Sequence, residues 1–315
     1  MSAIDAAALR AAVSSDLPLA DRALREWSGL GQDLPPAEAR IISRTAWVEA
    51  NLVALRGAFD PLEAKLRGRR VPRRVLGAQF GAILGLLSTR VLGQYVVPLA
   101  PDGGAGQLIL VGPNLIEVLE RAGPAADDVR RSVVLHELTH RLQFEAVPWL
   151  GTHLRDLIAR YIGGARFDLG GLVEVGGRIV EALRSSRQGT TMPALAEVVL
   201  TAEQREVVTE AQALMSLLEG HGNAAMEGAA TGVVRDPGQV REVLRRRRSD
   251  VVAKVLGSVA GLDMKKRQYE EGERFVRAVV DAAGTPALNR AFAGAAMLPT
   301  PDEIADPDRW LARTA

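Results

Sequence analysis

Along most of this chain apolar residues recur at the three- and four-residue spacing of a helix, and only two short runs look like strands. Residues 1–27 read as one or two amphipathic helices, broken at Gly29 and Gly31. Pro36 to Leu66 continues in helical period, with Trp47, Leu52 and Leu55 as core contacts and Asp60-Pro61 as punctuation. Gly68 to Arg74 is a basic turn, best read as a solvated connector. Val75 to Val91 is helical again, and Gly77, Gly81 and Gly85 fall on one bare stripe. A glycine costs a helix interior about 1 kcal/mol, so three in register predict another backbone packed closely along that stripe. Gln94–Leu99 and Gln107–Val111 are the β-type runs, and Pro101-Asp102-Gly103-Gly104 between them predicts a hairpin. Gly112-Pro113-Asn114 then delivers the chain into a helix from Leu115 to Arg121.

The remainder reads as helical. Pro124 to Asp128 opens a helix that runs to about Glu145 and stops before Pro148, with Asp127 and Asp128 at the positive end of its dipole. Leu154–Ile162 and Leu172–Leu183 are further helices, the second carrying Gly176-Gly177 for tight packing. Thr201-Ala202-Glu203-Gln204 has the form of a capping box and opens a helix carrying Val207, Ala211, Leu214 and Leu218. Pro237 to Ala315 is helical with a proline-rich tail. The pattern predicts a mainly α (α+β) chain with a small β-hairpin beside its central helix. It reads as a single domain over 1–315, with an N-terminal helical part (about 1–74), a core (about 75–232) and a C-terminal helical part (about 233–315).

Composition narrows the chemistry. With 47% hydrophobic and 24% charged residues the chain is globular, and 4% aromatics imply a core of aliphatic side chains. A net charge of +1 gives no bulk attraction to nucleic acid or acidic lipid. Arg245 to Arg248 would spread over every face of a helix, and Lys265-Lys266-Arg267 is read like it as a solvated run. No cysteine is present, which excludes disulfides, thiolate metal sites and cysteine nucleophiles. The uncharged run from Val75 to Thr89 is too short to span a bilayer, and the N-terminus has no basic region ahead of an apolar core. The expectation is a soluble, cytoplasmic protein with neither a nucleic-acid nor a membrane partner.

The stretch that carries chemistry is Val133-Val134-Leu135-His136-Glu137-Leu138-Thr139-His140-Arg141-Leu142, which contains HExxH. Four residues apart on a helix, His136 and His140 share a face and can hold one metal ion, most plausibly Zn²⁺. Glu137 is not itself a ligand, but it can reach water activated by that ion and take its proton. The apolar flanks suit a helix buried beneath a cleft. Arg141 is the exception, on a different face from both histidines, where it can reach solvent. Two hydrogen-bonded histidines on a buried helix are the alternative reading. His153 is read as a packed or capping residue.

A catalytic zinc takes three protein ligands and leaves one position open. Without cysteine, the third must be a carboxylate or a histidine. Glu219-Gly220-His221-Gly222-Asn223 is the best place to look. Glu219 and His221 project about 200° apart on a helix, so both cannot bind one ion. Periodicity places His221 on the stripe of Leu214 and Leu218, while Gly220 and Gly222 would let the helix bend.

These residues together resemble the zincin-like metallopeptidase type 2 family, whose members are found largely in actinobacteria and some of which are associated with biosynthesis of a deazaflavin cofactor. The likeness rests on Trp47-Val48-Glu49-Ala50-Asn51, Leu92-Gly93-Gln94-Tyr95, Val111-Gly112-Pro113-Asn114, the HExxH stretch through Trp149, Met215 to Met226, and Arg267 to Phe275. It implies a zincin-like helical fold whose small sheet presents an edge strand to the cleft. It also implies Glu219 as the third ligand, with Asn223 four residues on, where the family has an Asp bonded to a ligand histidine. His221 is then free to stabilise the oxyanion, in competition with Tyr95, Tyr161 and Tyr269. The expected function is a zinc metallopeptidase acting on a peptide or protein, with Glu137 as general base. Two rivals are a non-catalytic zinc-stabilised binding protein and a metal hydrolase of a small amide or ester.

Overall fold

The computed structural model describes residues 3–56, 73–99, 106–164, 202–247 and 266–315, and helices dominate them. The first, α1 (Ala3–Ser28), is one continuous helix despite Pro18. Leu9, Val13, Leu17, Ala20 and Leu24 are buried as a single stripe. The helix ends where Ser28 Oγ donates back to the Leu24 carbonyl (2.7 Å) and Gly29 takes φ +69°, a left-handed conformation open to a residue without Cβ. The turn beyond is clamped by Arg25, which donates to the Leu34 and Pro35 carbonyls (2.9 and 3.0 Å) and to Asp21 (2.9 Å).

Ala39–Ile42, expected within a helix, is instead strand β1. Helix α2 (Arg44–Leu55) starts only after it, N-capped by Ser43, whose hydroxyl accepts from the Ala46 N–H (3.1 Å). Trp47 is buried as expected, but Leu52 is 45% exposed and does not join the core. Asp60-Pro61 and the basic turn from Gly68 lie outside the described residues. Helix α3 (Arg73–Ser88) carries the glycine stripe. The close packing predicted there is not found among the described residues, none of which lies within 4 Å of where a Cβ would stand on Gly77, Gly81 or Gly85.

The expected hairpin strands do pair. Strand β2 (Gly93–Val96) runs antiparallel to β3 (Gln107–Val111), with Tyr95 opposite Leu108, while the connector at 101–104 lies outside the described residues. On its other side β3 pairs in parallel with β1, Ala39 opposite Leu108, so the sheet order is β1-β3-β2. Helix α4 (Gly112–Ala122) leaves β3 directly. There the Asn114 amide donates to the Ser88 carbonyl (2.8 Å) and accepts from Arg44 Nε (2.7 Å).

Alternation divides the faces of the sheet. Tyr95, Leu108 and Leu110 face α5 (Ala126–Glu145) and join a core with its Leu135, Leu138 and Leu142 and with α1. Val96, Ile109 and Val111 face the opposite way, onto Trp47 of α2 and Leu84 of α3. A second core lies among α6 (Pro148–Gly164), α7 (Ala202–Gly228), α9 (Lys266–Leu288) and the C-terminal helices α10 (Pro301–Ala305) and α11 (Pro307–Thr314), with α8 (Pro237–Arg247) packed on α5 instead. Leu150, Leu217, Phe275 and Trp310 are among its fully buried members. Helices α7 and α9 touch backbone to backbone, because a Cβ on Gly220 or Gly272 would overlap a carbonyl of the facing helix. The expected helix at Leu172–Leu183, Thr201 and Arg248 lie outside the described residues, as do the side chains of Arg245–Arg247 and Lys266–Arg267. No helix among the described residues is long and apolar enough to cross a membrane.

Candidate metal centre

Helix α5 has buried residues on nearly every side, from Asp128 to Gln143. Its exit from burial is the face bearing His136 and His140, whose side chains are 19% and 15% exposed. Their Nε2 atoms lie 3.1 Å apart, with the rings almost perpendicular (87°). Glu219 of α7 closes the third side, one carboxylate oxygen 3.6 Å from His136 Nε2 and the other 3.8 Å from His140 Nε2. These are the residues among those described that could hold a metal ion.

The spacing fits such an ion. Ligand bonds of about 2.0–2.1 Å at tetrahedral angles separate two ligand atoms by about 3.3 Å. The separations of 3.1, 3.6 and 3.8 Å lie around that value. The donor set is also right for zinc, with two imidazoles, one carboxylate and no thiolate. Gly222 makes room for it, since a Cβ there would stand 3.1 Å from the His136 ring and 3.6 Å from His140.

Glu137 lies beside this group without belonging to it. Its carboxylate accepts the backbone N–H of Tyr95. The sheet register explains how. Val111 N–H bonds the Leu92 carbonyl, so alternate residues from Leu92 face β3, and the backbone groups of Gly93 and Tyr95 point out from the edge of the sheet. Burial pushes the Glu137 carboxyl up to about 7; the His140 charge and the Tyr95 N–H pull against that rise, and Glu219 adds to it. Gly93 leaves the space Glu137 fills, because a Cβ on Gly93 would stand 2.6 Å from Glu137 Cγ.

The other candidates are placed elsewhere. His221, expected over the cleft, is fully buried with its ring between Trp27 and Phe292, centroids 5.4 Å from each. Burial depresses its pKa to about 3, His140 adding to the effect. Tyr95 OH donates to Glu145 Oε1 (3.0 Å), and burial raises its pKa, helped by Glu145. Tyr161 packs against the second core, and the side chain of Tyr269 lies outside the described residues. His153 packs edge-on to Trp149 at 5.7 Å. Arg141 does not reach solvent. It is 5% exposed and donates to Glu145 (2.9 Å) and to the Pro35 carbonyl (2.8 Å), fastening α5 to the turn after α1.

One residue of the centre escaped the sequence reading. The amide bonded to a ligand histidine was expected from Asn223, which is buried one turn beyond Glu219. At His140 the amide is that of Gln143, whose Oε1 lies 2.8 Å from Nδ1. The available signal was its spacing, three residues after His140 on the same helix.

Comparison with known proteins follows the same lines. A family model described as zincin-like metallopeptidase matches residues 1–311. No curated protein matches the chain. A solved structure from Chloroflexus aurantiacus, provisionally described as a hydrolase with a novel fold, is similar to it with 31% sequence identity and a TM-score of 0.72. The match covers 96% of this chain and 89% of that one.

Proposed function

The chain belongs to the zincin-like metallopeptidase family, and from that premise we propose that it is a zinc-dependent peptidase with Glu137 as its general base. His136, His140 and Glu219 hold the ion. Zinc, when bound, supplies Lewis acidity, which makes water nucleophilic near neutral pH. Glu137 takes the proton released as water adds to the scissile carbonyl and passes it to the amine as the C–N bond breaks. A carboxyl pushed toward neutrality by burial is suited to both halves of that transfer. The peptide as substrate is supported by β2, an edge strand among the described residues that borders Glu137.

The observation that carries the reading is the convergence of two Nε2 atoms and one carboxylate at 3.1–3.8 Å. Its test is Glu137→Gln beside the wild type, with metal analysis and a mixed peptide library. Both proteins should carry one zinc, and only the wild type should cleave. A wild type that carries zinc and cleaves nothing returns the choice to the non-catalytic binding protein. Hydrolysis of small esters or amides alone favours the small-substrate hydrolase.

A further inference from the structure

We propose that Gln143 is the positioning residue of the metal centre: its amide decides which nitrogen of His140 faces Glu219, and it joins α5 to the segment that carries Glu219. The proposal rests on His140 being a metal ligand. Gln143 is fully buried and makes three bonds. Its Nε2 lies 3.0 Å from the Leu218 carbonyl and 2.9 Å from His221 Nδ1, and its Oε1 lies 2.8 Å from His140 Nδ1. A carbonyl can only accept, so the Leu218 oxygen forces the NH₂ end of the amide toward itself. The other end is then an acceptor, and His140 Nδ1 must carry the hydrogen. His140 Nε2 is left with its lone pair, 3.1 Å from His136 Nε2 and facing Glu219.

The second N–H of the same amide fixes His221. Its Nδ1 must accept, so its hydrogen sits on Nε2, a buried atom with no hydrogen-bond partner among the described residues. His221 thus stands as an acceptor for Gln143 rather than as a donor to substrate. Leu218 immediately precedes Glu219, so the backbone that presents the carboxylate and the imidazole that faces it are held by one planar group.

Two measurements on the full chain test this. Long-range ¹H–¹⁵N spectra of the metal-free wild type should show His140 protonated at Nδ1 and His221 at Nε2, and Gln143→Met should leave His140 as a mixture of tautomers. By chelator competition, Gln143→Met should bind zinc about 10–100-fold more weakly than wild type. A His140 proton found on Nε2 in the wild type overturns the proposal without any variant, as does equal zinc affinity in a folded Gln143→Met. A wild type with the stated tautomers that binds no zinc removes the metal reading itself, and the positioning role with it.

Discussion

Gly93→Ala tests whether the seat of Glu137 is as tight as the geometry requires. The new methyl would stand 2.6 Å from Glu137 Cγ, 2.8 Å from Leu110 Cδ2 and 3.0 Å from Glu137 Cδ. Carbon atoms pack at about 3.5–4.0 Å, so something must retreat by about 1 Å. Leu110 is buried in the central strand between the sheet and α5, and it has little freedom to move. The displaced group is therefore the Glu137 side chain, along with its bond to the Tyr95 N–H. A catalytic group misplaced by about 1 Å costs about 100-fold in rate. The backbone at Gly93 has no positive φ, and an unopposed Gly→Ala change would stabilise by about 0.4–1 kcal/mol. A net loss, of about 1–3 kcal/mol for an overpacked site, would therefore register the clash itself. The assay is kcat/KM on a cleaved library peptide, with zinc content and urea unfolding measured on the same preparation. The expected result is a roughly 100-fold lower kcat/KM with one zinc retained. Full activity would show that Glu137 does not need this seat, and a stabilised protein would show that the predicted overlap does not exist.

Three further outcomes follow from the same packing. Gly222→Ala places a methyl 3.1 Å from the His136 ring, a smaller intrusion on the ligand side, so zinc affinity should fall by about tenfold while the fold is kept; chelator competition checks it. His221→Leu should lower the kcat of the zinc-loaded enzyme by less than tenfold, whereas losing an oxyanion donor would lower it by about 100–1,000-fold; steady-state kinetics at saturating zinc separates the two. Glu303→Gln should destabilise at pH 7 and progressively less in acid. Arg313 and the Thr300 cap hold the Glu303 carboxyl down to about 2, so its contribution is complete above the usual carboxylate range and fades as pH falls from about 4.5 toward 2. Holding the carboxyl down to about 2 is worth about 3 kcal/mol, reduced to about 1–2 kcal/mol because Arg313 is 38% exposed; urea titrations of both proteins across that range measure it.

The parts of the fold legible in the sequence are those set by neighbours in the chain. The α1 stripe, the hairpin strands and the pair His136 and His140 all follow from spacing within one element. Strand β1 was missed because four residues in extended form are justified only by β3, far along the chain, where Arg40 also bonds Gln107 (2.9 Å). The glycines were misread for the same reason. The regular stripe on α3 touches nothing described, while isolated Gly93, Gly220, Gly222 and Gly272 stand where another element presses close. Arg141 looked like a solvent-facing charge because its partners, Glu145 and the Pro35 carbonyl, come partly from a turn a hundred residues earlier.

Where the centre sits between the cores accounts for its composition. The stretch of α7 before Glu219 gives Val207, Leu214, Leu217 and Leu218 to one core, and its end gives Ala225 and then Ala229 and Ala230 beyond it to the other. Glu219 to Asn223 is the crossing point, where α7 passes from one apolar environment to the next against α5. Large apolar side chains there would close the gap between α5 and α7, so the crossing uses glycine at 222 against the α5 histidines, glycine at 220 where α9 presses close, and polar side chains at 219, 221 and 223. Each buried polar group then needs a partner. Gln143 answers that need for His140, His221 and the Leu218 carbonyl together. The polar residues of the helix crossing are thus of two kinds. Glu219 faces the histidines of α5, and His221 faces inward, accepting from an amide whose orientation the Leu218 carbonyl fixes.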